Sequence, residues 1–204
     1  MSIMSYNGSA MIAMTGKECV AIACDLRLGI QQQTLATDFK KVFKIHDKLM
    51  VGLSGLATDM LTLKQRFIFR HNLYQMREDR EMKPETFANM VSSLLYEKRF
   101  GPYFCEPLIA GLDKNNTPYI TGMDLLGAMA PASDFVVAGS NTESLFGVCE
   151  SFYKENMEPE TLFETISQCL IAGTGRDCLA GWGGVVYVIT PDKVISRTLK
   201  GRMD

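Results

Sequence analysis

The chain has 204 residues, of which 47% are hydrophobic and 22% are charged. This balance is typical of a soluble globular protein with a substantial core, and the length predicts one domain, residues 1–204. Lys and Arg number 21 against 23 Asp and Glu, so a net charge of −2 gives no electrostatic reason to bind nucleic acid or an anionic membrane.

Four short apolar runs open the chain, and they predict strands at residues 10–14, 19–24, 42–45 and 49–53. The connections at 15–18 and 46–48 are short enough to be hairpin loops. We therefore expect neighbouring strands in this part of the chain to pair in the antiparallel direction.

After Asp59 the spacing of apolar residues changes to that of a helix. One face of this first helix carries Met60, Leu63, Phe67 and Tyr74, and the helix should end within 77–83. Pro84 suits the first turn of a second helix. Its buried stripe is formed by Phe87, Met90, Val91, Leu94 and Leu95.

The second half of the chain repeats this order. Strands are predicted at 108–112, 119–121 and 135–138, then a helix with apolar residues between 145 and 153 and another opened by Pro159, then a hairpin of 185–189 and 194–199. Hairpin links argue against a parallel sheet. The expected fold is α+β, a four-layer αββα sandwich of two antiparallel sheets flanked by helix pairs.

The sequence gives no sign of export, of a membrane span or of a bound metal or cofactor. Residues 1–8 lack the basic and apolar regions of a secretory signal, and no apolar run is long enough to cross a bilayer. Six cysteines occur without the CxxC pairs of zinc and redox sites. These residues, Cys19, Cys24, Cys105, Cys149, Cys169 and Cys178, are expected to be buried thiols in a reducing compartment.

Several polar residues have ordinary structural interpretations. His46 and His71 lie in a turn and on a helix, too far apart in the sequence to indicate a metal cluster or a triad, so both are expected to be structural. The Gly-Trp-Gly-Gly run at 181–184 lacks the Lys-Ser/Thr of a phosphate loop and is better interpreted as a turn before a strand. Ser140 has the spacing of a helix-capping box with Glu143.

Two charged positions stand out against these interpretations. Lys41 lies where an apolar strand begins, and a buried lysine is costly unless it is paired. Asp25 ends another apolar strand of the same group of hairpins, which makes it a plausible partner. Asp177, next to Arg176, could be half of a loop ion pair of small energetic value.

These residues stand in stretches that resemble the proteasome beta subunits, a family with the N-terminal nucleophile hydrolase fold. The stretches are Gly8-Ser9 before a strand, Asp25, Lys41, Ser54-Gly55, Ala138-Gly139-Ser140 and Arg176-Asp177. The chain is most similar to the beta type-3 class of that family, through residues 36–39, 52–59, 96–102 and 201–204. The resemblance covers essentially the whole chain.

The resemblance implies a role for each position. In active members a Thr follows a Gly, self-cleavage frees the α-amino group of that Thr, and this amine acts with a Lys and an Asp. Here Ser9 falls on the nucleophile position, Asp25 on the acid and Lys41 on the lysine. Gly55 falls on the oxyanion-hole glycine, and Ser140 and Asp177 fall on two supporting positions. Ala180 replaces a further supporting serine. A free α-amine has a pKa of about 8 and can act as a base, but an amide nitrogen cannot.

The family therefore implies a non-catalytic structural beta subunit that retains residues 1–8 as a short extension. It would join other alpha and beta subunits in stacked seven-membered rings, in the cytoplasm and nucleus, around a chamber where unfolded proteins are degraded in an ATP- and ubiquitin-dependent way. In the alternative, the chain cleaves itself after Gly8 and acts as a serine variant of a threonine-type endopeptidase. A self-sufficient homo-oligomeric protease is disfavoured by the class-specific stretches.

One more residue has two interpretations that the sequence leaves open. Asp124 falls where related subunits place an acidic residue in the substrate channel of a neighbour, which would favour basic substrates. It also precedes Leu125-Leu126-Gly127, so it could simply begin a turn.

Overall fold

A computed structural model describes residues 2–203 of the chain. Its first sheet contains β1 (Ala10–Gly16), β2 (Cys19–Asp25), β10 (Phe135–Gly139), β11 (Gly184–Ile189) and β12 (Val194–Leu199), in the order β10-β1-β2-β11-β12. The second sheet contains β5 (Val42–His46), β6 (Leu49–Gly55), β7 (Cys105–Leu112), β8 (Pro118–Met123) and β9 (Met129–Ala132), in chain order. Every pairing in both sheets is antiparallel.

Two helix pairs cover the outer faces of these sheets. The helices are α1 (Ala57–Glu78), α2 (Pro84–Tyr96), α3 (Thr142–Phe152) and α4 (Pro159–Thr174). Both α2 and α4 begin with a proline, whose fixed φ and missing N–H suit the first turn of a helix. The first helix ends at Glu78 and is followed by Asp79 in the left-handed region, as the charged stretch predicted.

Three apolar layers hold the four structural layers together. One lies between α3, α4 and the first sheet, a second lies between the two sheets, and a third lies between the second sheet and α1 with α2. Residues that alternate along β1, such as Ile12 and Ala13, enter different layers, so this strand is apolar on both faces. The predicted four-layer αββα sandwich is confirmed.

Three strands were not predicted. The hairpin of β3 (Leu28–Ile30) and β4 (Gln33–Ala36) stands apart from the large sheets and carries mostly exposed or half-buried side chains. The edge strand β9 contains Pro131 and has no β-branched residue. Short strands of this kind lack the apolar alternation that marks a buried strand, so their sequences give little signal.

The cysteines follow the prediction with one exception. All six are free, and five of them are buried, but Cys178 is exposed, so the expectation of a buried thiol is wrong there. Cys178 lies in the loop after α4, outside the apolar layers. Burial raises the pKa of the Cys19 and Cys24 thiols to about 11 and that of Cys105 to about 12. Within residues 2–203, none of the helices is long and apolar enough to cross a membrane.

His46 and His71 come together in the fold, although they are distant in the sequence. Their rings stack with centroids 5.5 Å apart. Lys48 N donates to His46 Nδ1 at 3.2 Å, so His46 Nε2 carries the proton and donates to Met82 O at 3.0 Å. Burial lowers the pKa of both imidazoles, against the opposing charge of Glu81, whose carboxylate lies 3.5 Å from His46 Nδ1.

We predict that this pair makes the fold less stable in mild acid. Both pKa values are lower in the folded chain than the ordinary 6.5, so below about pH 6.5 the unfolded chain binds more protons and the free energy of unfolding decreases. The loss is at most about 1.4 kcal/mol per histidine at about pH 5.5. Urea unfolding of the purified chain at neutral pH and at about pH 5.5 measures it. The same loss in His71→Phe would exclude His71 as a cause.

Candidate functional site

The ends of several strands bring the predicted site residues to one edge of the sandwich. Ser9 immediately precedes β1, Ala10 pairs with Gly139 on β10, and Asp25 ends β2 opposite Gly184 on β11. The antiparallel β1–β2 hairpin places the start of β1 beside the end of β2. Residues separated by more than a hundred positions therefore meet at the start of β1.

The carboxylate of Asp25 is the centre of this region. Its Oδ1 accepts hydrogen bonds from Ala10 N at 3.0 Å and from Lys41 Nζ at 2.7 Å. Its Oδ2 accepts from Arg27 N at 3.2 Å and from Gly181 N at 3.1 Å. The side chain has no solvent exposure, so these donors replace the water that an ionised carboxylate would otherwise need.

Lys41 is held as tightly as its partner. Besides the carboxylate, its ammonium group donates to Arg27 O at 2.8 Å and to Asp25 O at 3.3 Å. An ammonium group has three protons, and three acceptors surround it. The side chain is only 1% exposed. The predicted buried pair of Asp25 and Lys41 is confirmed.

Ser140 and Asp177 form a second cluster at the backbone of Ser9. Ser140 Oγ lies 3.0 Å from Ser9 O, 2.8 Å from Asp177 Oδ2 and 3.5 Å from Ser9 N. Asp177 Oδ1 accepts from Leu179 N at 2.9 Å, which fixes the carboxylate. The structure thus brings together Ser9, Ser140 and Asp177, as the family positions imply.

The capping-box interpretation of Ser140 is wrong. The helix α3 begins at Thr142, its N-cap residue is Asn141, and no side chain caps it there. Ser140 faces Ser9 instead, because Gly139 turns the chain with φ +119. A Cβ at Gly139 would lie 2.2 Å from Ser9 O, so only glycine permits this close approach.

Gly55, at the oxyanion-hole position, ends β6 at the same edge of the sandwich. Its φ is +110, and a Cβ there would lie 2.2 Å from Phe104 O. The following N–H, of Leu56, donates to that carbonyl at 2.8 Å. Packing alone therefore requires a glycine at position 55, independently of any chemistry at the site.

Two residues of the site were not singled out from the sequence. Arg27 is 2% exposed, and its guanidinium donates to Thr34 Oγ1, Leu179 O and Gln31 O at 2.9–3.0 Å. Asn7 is 7% exposed, and its amide contacts two separate elements. The available signal was position alone, since each is a polar residue adjoining a run of buried ones.

The remaining candidates take structural positions. Gly181, Trp182 and Gly183 all have positive φ and lead into β11, so the prediction of a turn before a strand is confirmed. Ala180, where the family expects a serine, is 5% exposed and packs in the apolar layer under α4. In the described part of the chain, no group of three or more His, Cys, Asp or Glu could hold a metal ion.

Asp124 serves as a turn residue, as one of its two interpretations required. Its Oδ1 accepts from Leu126 N at 2.9 Å and from Ala128 N at 2.8 Å. Asp124 is exposed and lines a surface cavity together with Tyr96. Burial raises the pKa of Glu106, and the charge of Asp124 adds to this effect. A role of Asp124 in a neighbour's channel stays a prediction.

Chemically, the site holds a hydroxyl, a lysine and an acid but no free amine in the intact chain. Ser9 N is the nitrogen of the Gly8–Ser9 peptide bond, and both residues are buried. An amide nitrogen has no basic lone pair, so it cannot take the proton of Ser9 Oγ. The arrangement supports nucleophilic chemistry only after cleavage of that bond.

Comparison with known proteins gives a consistent result. A family model described as Proteasome subunit matches residues 5–189. The chain is 68% identical to proteasome subunit beta type-3 of Picea mariana and 65% identical to that of Oryza sativa subsp. japonica, over 204 residues in each case. It is 55% identical to the protein of that name in Drosophila melanogaster. Each match covers 100% of both chains.

The full-length matches and the family model agree with the resemblance seen in the sequence. The structure also brings together the residues at the family's site positions. Identity of this level along the full length extends to plant and animal proteins of one class. The chain therefore belongs to the proteasome subunit family, in its beta type-3 class.

Proposed function

We propose that this chain is a non-catalytic beta subunit, which builds the proteasome core particle without cutting peptides itself. The observation that carries the proposal is Ser9, which stands where active members of the family have a threonine and follows two buried residues, Asn7 and Gly8. While the Gly8–Ser9 bond stays intact, Ser9 N is an amide nitrogen and cannot act as a base. Ala180 also removes a hydroxyl from the supporting set. Both departures affect catalysis and leave the fold intact.

As a proteasome subunit the chain assembles with other subunits of the particle. We propose that it joins alpha and beta subunits in stacked seven-membered rings around a chamber that receives unfolded proteins for ATP- and ubiquitin-dependent degradation. We also propose that it works in the cytoplasm and nucleus. Six free cysteines support a reducing compartment of this kind.

In this proposal Asp25 and Lys41 have a scaffold role. The carboxylate of Asp25 accepts four hydrogen bonds, and the ammonium group of Lys41 donates three. None of these hydrogen bonds involves the Ser9 hydroxyl. The serine-peptidase alternative is favoured by one observation, the assembly of Ser9, Asp25 and Lys41 at one edge. It requires that the Gly8–Ser9 bond be cut.

The first test is the intact mass of the subunit in the assembled particle. We expect the mass of the full chain, apart from loss or acetylation of Met1, because Ser9 lacks the threonine methyl and the Ala180 position lacks a hydroxyl. A dominant species that begins at Ser9 would overturn the proposal and favour the serine-peptidase alternative.

A second prediction concerns Ser9→Ala in the assembled particle. Every peptidase activity of the particle should stay unchanged, because a silent residue makes no transition-state contact that the substitution could remove. Fluorogenic peptides with acidic, basic and apolar residues before the scissile bond measure these activities against the unmodified particle. Loss of one activity alone would show that Ser9 is a nucleophile.

A third prediction uses Lys41→Ala to test whether the Asp25–Lys41 pair has a structural role. Asp25 would remain buried without its counter-charge, and we expect a loss of about 3–5 kcal/mol in stability and a lower yield of assembled particle. Lys40→Ala, at the exposed neighbouring lysine, is the matched control and should assemble normally. Equal yields for the two variants would contradict a structural role for the pair.

A further inference from the structure

Tyr6 and Asn7 of the extension are hydrogen-bonded to the β3–β4 hairpin. Gln31 N donates to Tyr6 O at 2.8 Å, and Gly29 N donates to Asn7 O at 3.3 Å. Gly29 lies in β3, whereas Gln31 lies in the turn after this strand and has φ +54. These bonds hold the extension against the β3–β4 hairpin, which remains a sheet of two strands.

The side chain of Asn7 connects this hairpin with a helix. Its Nδ2 donates to Gly29 O and its Oδ1 accepts from Ala57 N, both at 2.9 Å. Ala57 is the first residue of α1, whose own N-cap residue, Leu56, has no side-chain acceptor. Asn7 thus caps a helix that begins fifty positions later. Only one orientation of the amide can serve both contacts.

Gly8 completes the attachment on the opposite side. Its φ is +73, and a Cβ at this position would lie 1.9 Å from Leu179 O. Leu179 O also accepts from the Arg27 guanidinium at 3.0 Å. The backbone at Gly8 is therefore packed directly against the loop that follows α4, and this packing demands glycine independently of any self-cleavage.

We propose that residues 6–8 are a permanent structural clamp, in which Asn7 is the positioning residue that locks the β3–β4 hairpin to the first turn of α1. The inference rests on the retention of the extension proposed above. It assigns the extension a function in the mature subunit, since its removal would leave the Ala57 N–H and the β3 edge without their partners.

Hydrogen exchange in the assembled particle tests the clamp. In Asn7→Ala the amide of Ala57 should exchange roughly tenfold faster, the effect expected from loss of a helix cap. Asn7→Asp keeps the acceptor for Ala57 N but loses the donor to Gly29 O, so it should retain protection at Ala57. Ile3→Ala is the matched control, because Ile3 lies in the same extension and is 45% exposed. This substitution should leave the exchange rate at Ala57 unchanged.

Unchanged exchange at Ala57 in Asn7→Ala, or an equal change in Ile3→Ala, would overturn the clamp. If Asn7→Ala fails to enter the particle, assembly yield becomes the measurement. Entry of Ile3→Ala but not of Asn7→Ala then supports the clamp, and failure of both contradicts it. Intact mass of the same samples separates the two proposals, because a chain that starts at Ser9 overturns the non-catalytic function itself.

Discussion

The buried carboxylate of Asp25 is the interaction on which the geometry of this region depends. It binds the start of β1 through Ala10 N, the segment after β2 through Arg27 N and the loop before β11 through Gly181 N. A charge with no solvent exposure needs a counter-charge, and Lys41 supplies it from the start of β5. One side chain thus coordinates segments from both sheets.

A buried ion pair is an expensive way to join segments, since the cost of desolvation can exceed the attraction between the charges. Here the cost is offset because the carboxylate also satisfies three backbone N–H groups at strand ends and turns. An apolar pair of similar size would leave those donors unpaired. These contacts give Asp25 and Lys41 a structural role that does not depend on any chemistry at the site.

The sequence predicted the layers of the fold and the Asp25–Lys41 pair, because both follow from burial. Long apolar runs identify buried strands, and a charged residue at the end of such a run, such as Lys41, must find a partner. Asn7 and Arg27 were missed because most of their partners are backbone groups of other segments, such as Ala57 N and Leu179 O, and backbone groups leave no pattern in the side chains. The local capping pattern gave the wrong interpretation of Ser140 because it competed with a tertiary contact, which only the family resemblance implied.

The contacts on the two sides of the Gly8–Ser9 bond show that the structure of this region does not depend on its chemistry. Catalysis in the family depends on a free amine at the nucleophile position, which exists only after cleavage, whereas the fold depends on backbone contacts that exist before it. Ser9 O receives a hydrogen bond from Ser140 N at 2.8 Å whether or not the residue is a nucleophile. Gly8 packs against Leu179, and Asn7 adds contacts that only an uncut chain can make. The non-covalent contacts that fold the domain thus also hold the extension, and the proposed non-catalytic role requires that this extension be retained.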